Sequence, residues 1–475
     1  QISFRAQNAH ATSVVGTATI VRRAFARDIR CRPVYDIIIV VRRAFGATTN
    51  LSETTMKIYL MTALLALVMP AQLLANTQQQ ADTTIKYHTN VVFQPNDSRF
   101  TADTTLTIPA EKLTHQAIAL LLNKQQSVTE ISGAQLASSN IESSPRVPPW
   151  NRITLNFKKT GQSNYKVKLK YSGAINAEAG HGNYINAQGA HLSLDSAWHP
   201  FIADFATKMT GTLALTVPSN WRVYSPGQQE RPTQDTVMIR NQMPAIDVVL
   251  FAQQSPKVIT TEHVEVIYQG IDAKQAQHLA DDVTQCLTSL NATMRAENTL
   301  DHADLIILDR SGPSFARGPY ISMSKSSLSS READYQYICH ELAHNWTPFA
   351  DAMSHDYWMM ESFAEYISAQ QLKQRFGKEA YADAVKRWQN LAKGVEFVWR
   401  SDDPKRASHR VNYGLGPLLL KRLADRMGAD NFEQLLAWYT AHEVTQTEQL
   451  LNKIGAVTSK ETQIWFTQQL AQKKP

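Results

Sequence analysis

Five consecutive residues, His340-Glu341-Leu342-Ala343-His344, have the types and the spacing for metal-assisted hydrolysis. On a helix, residues i and i+4 share a face, so His340 and His344 can aim two imidazoles at one zinc ion. Glu361, which opens a second helical run to Tyr366, is the candidate third ligand. Two neutral imidazoles and a carboxylate leave one zinc position open for water, whose pKa the metal lowers towards ~7. Glu341 can accept the proton from that water and hand it to a leaving amine, a transfer typically worth ~10²–10⁴ in rate. One zinc per chain is expected. The pattern also arises by chance, and two histidines on a solvated helix are the plain alternative. A second carboxylate helix within reach weighs against that alternative.

The elements that must hold these groups can be read in turn. Ser329 and Glu332 suggest a capping box opening the helix of His340, with the motif in mid-helix. Gly377 is placed to close the helix of Glu361, and Gly428 to close one begun near Tyr413. Thr458 and Glu461 suggest a capping box for the last helix. Residues 272–296 read as a helix and Ala303–Leu308 as a buried strand. Upstream, from about 84 to 268, the period is that of strands. Tyr165–Tyr171 alternates apolar residues with lysines, Leu213, Leu215 and Val217 alternate before Pro218, and Val248–Phe251 and Val264–Tyr268 read as strands. The expected fold is α+β and multidomain: an antiparallel, sandwich-like β domain over 76–255, then a mainly helical domain over 256–475.

The net charge of +6 belongs to the first residues. Residues 1–55 hold eight arginines against Asp28, Asp36 and Glu53, whereas 76–475 holds 39 basic and 39 acidic residues. A neutral body gives no electrostatic reason to expect nucleic-acid binding. Val21-Arg22-Arg23-Ala24-Phe25 recurs as Val41-Arg42-Arg43-Ala44-Phe45, which is too little for a solenoid. Residues 1–55 are therefore expected to be spurious upstream translation or a disordered extension. Met56-Lys57, the apolar run Ile58–Met69 and Leu73-Leu74-Ala75 form the pattern of a signal peptide over 56–75. Export to the periplasm or medium is expected, with no stable membrane insertion after cleavage. Cys286 and Cys339 alone follow, so no disulfide framework is expected, and Cys339 reads as a small buried thiol.

With these residues assembled, the chain resembles the aminopeptidase N-like gluzincins. The likeness is carried by His340-Glu341-Leu342-Ala343-His344-Asn345-Trp346 and by Asp356-Tyr357-Trp358-Met359-Met360-Glu361-Ser362-Phe363-Ala364-Glu365-Tyr366. It implies a thermolysin-like catalytic domain, a peptide substrate, zinc on His340, His344 and Glu361, and Glu341 as base. Val411-Asn412-Tyr413-Gly414 is similar to a segment whose tyrosine donates to the oxyanion, so Tyr413 takes that role. Trp198-His199-Pro200 and the strand after it are similar to the end of the family's β domain.

Three departures follow. Sixteen residues separate His344 from Glu361, a somewhat short gap that a loop can absorb. The family's G-x-M-E-N strand, whose Glu grips a substrate amine, is replaced by Phe315–Met323, with no acid between Asp309 and Glu332. Arg317 in that stretch would repel an amine; it reads as a solvated loop residue or as a partner for a substrate carboxylate. Finally, 62 residues follow Tyr413, without room for the family's large helical C-terminal domain. The expected activity is that of a zinc peptidase, aminopeptidase-like. The alternatives are an endopeptidase or other amide or ester hydrolase without selection of a free N-terminus, and a non-catalytic peptide-binding module. Glu365, i+4 from Glu361, could orient a ligand imidazole or be solvated, and Asp356 reads as a helix cap. His355 and His409 read as structural or exposed, and Trp346, Trp358 and Met359-Met360 as core.

Overall fold

Strict alternation builds the first half of the molecule. Ile85–Gln94 buries every second side chain, and Asn164–Ala174 turns Tyr165, Val167, Leu169 and Tyr171 inward with the lysines outward. A one-residue slip would bury Lys166 and Lys168 instead, so register is fixed by the lysines as much as by the apolar face. The computed structural model describes residues 83–472, except 176–181, 295–298, 311, 313, 348 and 349. The expected extension, signal peptide and the proline of the short loop (Pro348) lie outside the described residues.

The strands over 85–254 form one sheet of seven and two of four. They enclose an apolar core whose aromatic centre is Phe100, Trp150, Tyr171, Trp198 and Phe201. The expectation of an antiparallel domain needs one correction. Ile85–Val92 pairs in parallel with Met209–Thr216. The two strands are far apart in sequence, which leaves ample chain for the crossover that a parallel pair requires. The strand expected at Val248–Phe251 runs from Leu250 to Gln254.

A five-stranded sheet follows, in the order Lys257–Thr260, Val264–Tyr268, Ala303–Leu308, Tyr320–Ser324, Phe315–Arg317. Its three inner strands are parallel and its two edges antiparallel. Ala303–Leu308, nearly all apolar, lies in the middle and is buried on both faces. Helix α1 (Ala273–Thr293) packs on this sheet, capped by Asp272 Oδ1 accepting from Gln275 N at 2.8 Å. Helix α2 (Arg331–Ala343) is capped by Ser330, one residue after the expected position. The Asp334 carboxylate takes the Ser329 N–H at 2.8 Å, so Glu332 has no capping part. Helix α3 (Tyr357–Leu391) is broken at Gly377, whose φ of 89° is in the left-handed region that glycine enters without penalty.

A single π-turn, Val411–Leu415, leads into α4 (Gly416–Met427), which ends at Gly428. Helices α5 (Ala429–Ala441), α6 (Thr447–Val457) and α7 (Lys460–Ala471) complete the chain, the last capped by Ser459 rather than Thr458. A second apolar core unites these helices with the five-stranded sheet and includes Trp346, Trp358 and Met359, with Met360 packed at its margin. Among the described residues no helix is long and apolar enough to cross a membrane.

One expectation about the cysteines is overturned. Cys286 of α1 and Cys339 of α2 are joined, with Cα atoms 5.7 Å apart. Packing of α1 against α2 brings together two residues 53 apart in sequence, a proximity that spacing alone does not show. The bridge ties down the helix that carries His340.

Candidate metal centre

Helix α2 ends within the histidine motif and does not run past it. Ala343 is its last helical residue and His344 its C-cap, where Asn345 N and Trp346 N turn back to Leu342 O and Ala343 O. This corrects the mid-helix placement. The negative end of the helix dipole therefore falls within the stretch that carries both histidines. Helix α3 crosses α2 and brings Glu361 to both imidazoles. His340 Nε2 is 3.2 Å and His344 Nε2 3.7 Å from Glu361 Oε2. One ligand atom from each of the three residues can be chosen so that all lie within 4.8 Å of one another. Ligands held ~2.0–2.1 Å from a tetrahedral zinc lie about 3.3 Å apart. The donor types fit such an ion, and the two separations from Glu361 Oε2 lie near that value, while the set as a whole is wider.

Charge in this buried cluster is unevenly shared. Burial works against a proton on His340, but the flanking Glu361 and Glu365 carboxylates outweigh it and hold the imidazole at about 10. Burial brings His344 down to about 4, against the pull of Glu361. Burial also favours a neutral Glu361, yet the two imidazoles and the Tyr357 hydroxyl keep it well below the usual carboxylate range. The cluster thus carries one extra proton between its carboxylates, a positive charge that a divalent ion would supply instead. Burial pushes Glu341, 5% exposed, up to about 7, which suits a group that must take up and release a proton near neutrality.

Glu365 is not solvated, and its carboxylate lies against the His340 ring. Its Oε2 lies 3.3 Å from His340 Nδ1, while its Oε1 accepts from Gln336 Nε2 at 2.8 Å and Trp388 Nε1 at 2.7 Å. Arg387 donates in turn to Gln336 Oε1. Gln336 and Tyr357 were not anticipated. Gln336 stands four residues before His340, and Tyr357 four before Glu361, with its hydroxyl 2.5 Å from Glu361 Oε1. The i−4 spacing was a signal available for both.

Tyr413 reaches the same cluster from the π-turn. Its hydroxyl donates to Glu361 Oε2 at 2.5 Å, and its ring stacks on His340 with centroids 5.4 Å apart. Ser362 Oγ donates to Asn412 O at 2.8 Å and pins the turn to α3. A Cβ on Gly416 would stand 2.0 Å from that Oγ, so only glycine allows this approach. All five residues expected at the site are thus brought together.

Two further expectations, for Asp356 and Arg317, are corrected, and the reading of His355 and His409 holds. Asp356 makes no capping bond; its Oδ1 accepts from Thr447 N at 2.9 Å and Thr447 Oγ1 at 2.6 Å, locking α6 to α3. His355 ties two loops through the carbonyls of Arg400 and Asp403, as a structural residue does, and exposed His409 lies against the Tyr413 ring. Arg317 is not a solvated loop residue. It lies on the edge strand of the five-stranded sheet, paired through Nε with buried Asp247 and set over the Phe315 ring.

This fold and site define a zinc-type metallopeptidase architecture: a β-rich first half and a helical second half whose two crossing helices converge a His-Glu-His set. Residues 283–468 match the Peptidase family M1 domain, in line with the resemblance carried by the motifs around His340 and Glu361. A "Putative aminopeptidase-2" of Caenorhabditis elegans is 24% identical over 321 residues, covering 58% of this chain. The chain spans about a sixth of that relative's length, 17%. Among solved structures, an M1 zinc metallopeptidase from Deinococcus radiodurans superposes with a TM-score of 0.60 at 16% identity, covering 83% of this chain and 94% of its own. Leukotriene A4 hydrolase from Saccharomyces cerevisiae gives 0.65 at 15% identity, over 84% and 70% respectively. These likenesses establish the fold.

Proposed function

We propose that the protein is a zinc metallopeptidase, with His340, His344 and Glu361 as metal ligands, Glu341 as general base and Tyr413 as oxyanion donor. The observation that carries this reading is the convergence of the three donor groups, both imidazoles on Glu361 Oε2, beside a buried carboxyl poised near neutrality. Zinc bound there would polarise the substrate carbonyl and lower the pKa of the attacking water. Glu341 receives the proton of that water and later delivers it to the leaving nitrogen. The Tyr413 hydroxyl, kept protonated by burial and the Glu361 charge, donates to the oxygen that gains negative charge. The Glu365 carboxylate, 3.3 Å from His340 Nδ1, would attract that side of the ring and leave Nε2 for the metal. The Deinococcus metallopeptidase has been crystallised as a mutant with the substrate Tyr-Ser-Ala, which supports a peptide as substrate here too.

Elemental analysis of the purified protein should find one zinc per chain. Glu341→Gln should keep that zinc and lose turnover, and Tyr413→Phe should lower kcat with metal content unchanged. Full activity in Glu341→Gln would remove the base, and zinc well below one per chain would remove the reading.

A second reading concerns selectivity. Arg317 and Asp247 neutralise one another on the edge strand where the family's amine-binding Glu stands, which favours hydrolysis without selection for a free N-terminus. Equal kcat/KM for free and N-acetylated peptides would support it, and strong preference for the free amine would exclude it. The activity is placed outside the cytosol. The Met56–Ala75 pattern and the Cys286–Cys339 bridge, which suits an oxidising compartment, both support export. The separate apolar cores support two domains meeting near residue 255.

A further inference from the structure

Beside the metal centre the segment from Gly394 to Val411 walls a cavity of about 400 Å³. Four of its lining residues are cations, Arg400, Lys405, Arg406 and Arg410, against two carboxylates, Glu396 and Asp403. None of the four cations is in an ion pair among the described residues. Asp403 Oδ1 accepts the backbone N–H of Lys405, and Arg400 spends Nε and Nη2 on Ala471 O. The guanidinium of Arg406 lies 4.7 Å from the centre of the Tyr357 ring, whose hydroxyl is the one 2.5 Å from Glu361 Oε1. One phenol ring therefore separates this cation from the carboxylate placed to bind the metal. Val411, also in the lining, begins the turn that carries Tyr413.

The cleft thus has two unlike flanks. On the Glu341 flank Arg317 is already matched by Asp247. On the Tyr357 flank four cations, Lys405, Arg406 and Arg410 of them exposed, face two carboxylates, so positive charge is in excess. Cations crowded in a cavity beside a reaction centre repel one another, and an incoming anion relieves that repulsion.

We infer that this cavity receives a carboxylate of the substrate, with Arg406 as the nearest contact and Lys405 and Arg410 completing the charge. The carboxylate that every unmodified peptide carries is its C-terminal one. An extended chain advances ~3.3–3.6 Å per residue, so a carboxylate two or three residues past the cleaved bond lies ~7–11 Å from it. The protein would accordingly favour short peptides that end just beyond the scissile bond. This deepens the peptidase reading and rests on it.

The test compares Ala-Ala-Ala, its C-terminal amide, and Ala-Asp-Ala amide, which returns a carboxylate on a side chain. Both kcat/KM with the zinc enzyme and Kd by calorimetry with zinc-loaded Glu341→Gln are measured. A hydrogen bond to a charged group supports at least about a tenfold preference for the free acid over the amide. Arg406→Gln should bring the ratio near one, Arg406→Lys should retain part of it, and the exposed Lys405→Gln should lower it. Equal Kd for acid and amide would overturn the inference even if both are cleaved. No cleavage of any peptide, with the acid still bound more tightly, would sink the peptidase reading and leave the carboxylate cavity standing. Recovery of tight binding by Ala-Asp-Ala amide would overturn the terminal assignment and give the cavity to an acidic side chain.

Discussion

Replacing Glu365 by Gln changes one oxygen to nitrogen and leaves the shape of the side chain intact. Its consequence can be worked from the contacts. Glu365 Oε1 accepts from Gln336 and Trp388, and an amide oxygen can keep those two bonds. Glu365 Oε2 is the atom 3.3 Å from His340 Nδ1, and there an amide nitrogen would present a donor to a donor. A hydrogen bond to a charged group contributes about 1.5–3 kcal/mol, and leaving a buried donor unmatched costs a similar amount. His340 is 2% exposed, so water offers little relief. The ring could answer by exchanging its tautomer, but that places a proton on Nε2, the atom needed for the metal. Zinc affinity should therefore fall about 10–100-fold, the range typical when a group behind a metal ligand is removed. The assay is the zinc Kd, measured by competition with a chelator of known affinity. The control is the thermal midpoint of the metal-free variant, which should stay close to that of the native protein. A Kd within twofold of the native value would refute the reasoning, because Glu365 would then not be setting the His340 ring.

Two other outcomes follow from buried features away from the reaction centre. The Cys286–Cys339 bridge closes a loop of 53 residues, which chain-entropy arguments value at about 4 kcal/mol; reduction, or Cys286→Ser with Cys339→Ser, should lower the thermal midpoint, and an unchanged midpoint would show that the bridge does not form. His199 is driven down to about 3, first by burial, and meets Thr89 Oγ1, Pro200 O and the Tyr87 and Trp198 rings. The unfolded chain then takes up a proton near pH 6.5 that the folded one refuses, so stability is lost as pH falls below that value, by about 2 kcal/mol between pH 6.5 and 5 from this residue. Urea unfolding at several pH values should show a shallower acid loss in His199→Gln, and an identical slope would refute the neutral assignment.

Much of this was legible because local chemistry and fold agreed. The lysine alternation of Tyr165–Tyr171, the nearly all-apolar strand Ala303–Leu308 and the glycines at 377 and 428 each carry their structure in a few adjacent residues. Caps shifted by one residue, from Ser329 to Ser330 and from Thr458 to Ser459, because two neighbouring hydroxyls are equally able to cap and packing chooses between them. What sequence could not supply was meetings between distant segments. The parallel pairing of Ile85–Val92 with Met209–Thr216, the bond from Cys286 to Cys339 and the ion pair of Arg317 with Asp247 all depend on how whole elements pack.

The metal centre shows where that limit lies within a single site. His340, His344 and Glu361 were visible because helical spacing and ligand chemistry constrain both residue type and position. The residues that hold them, Gln336 and Tyr357, obey the same helical rule one turn earlier. They escaped notice because Gln and Tyr have no single chemical purpose that their type announces. Arg387 and Trp388 could not have been found in that way, since they reach Glu365 and Gln336 from beyond the break at Gly377. That break redirects the second half of α3 so that a residue 23 positions along the chain closes over its first half. The ligands, then, are written in the local period of two helices. The rigidity that makes them a binding site is written in a glycine kink whose purpose appears only when the chain is folded.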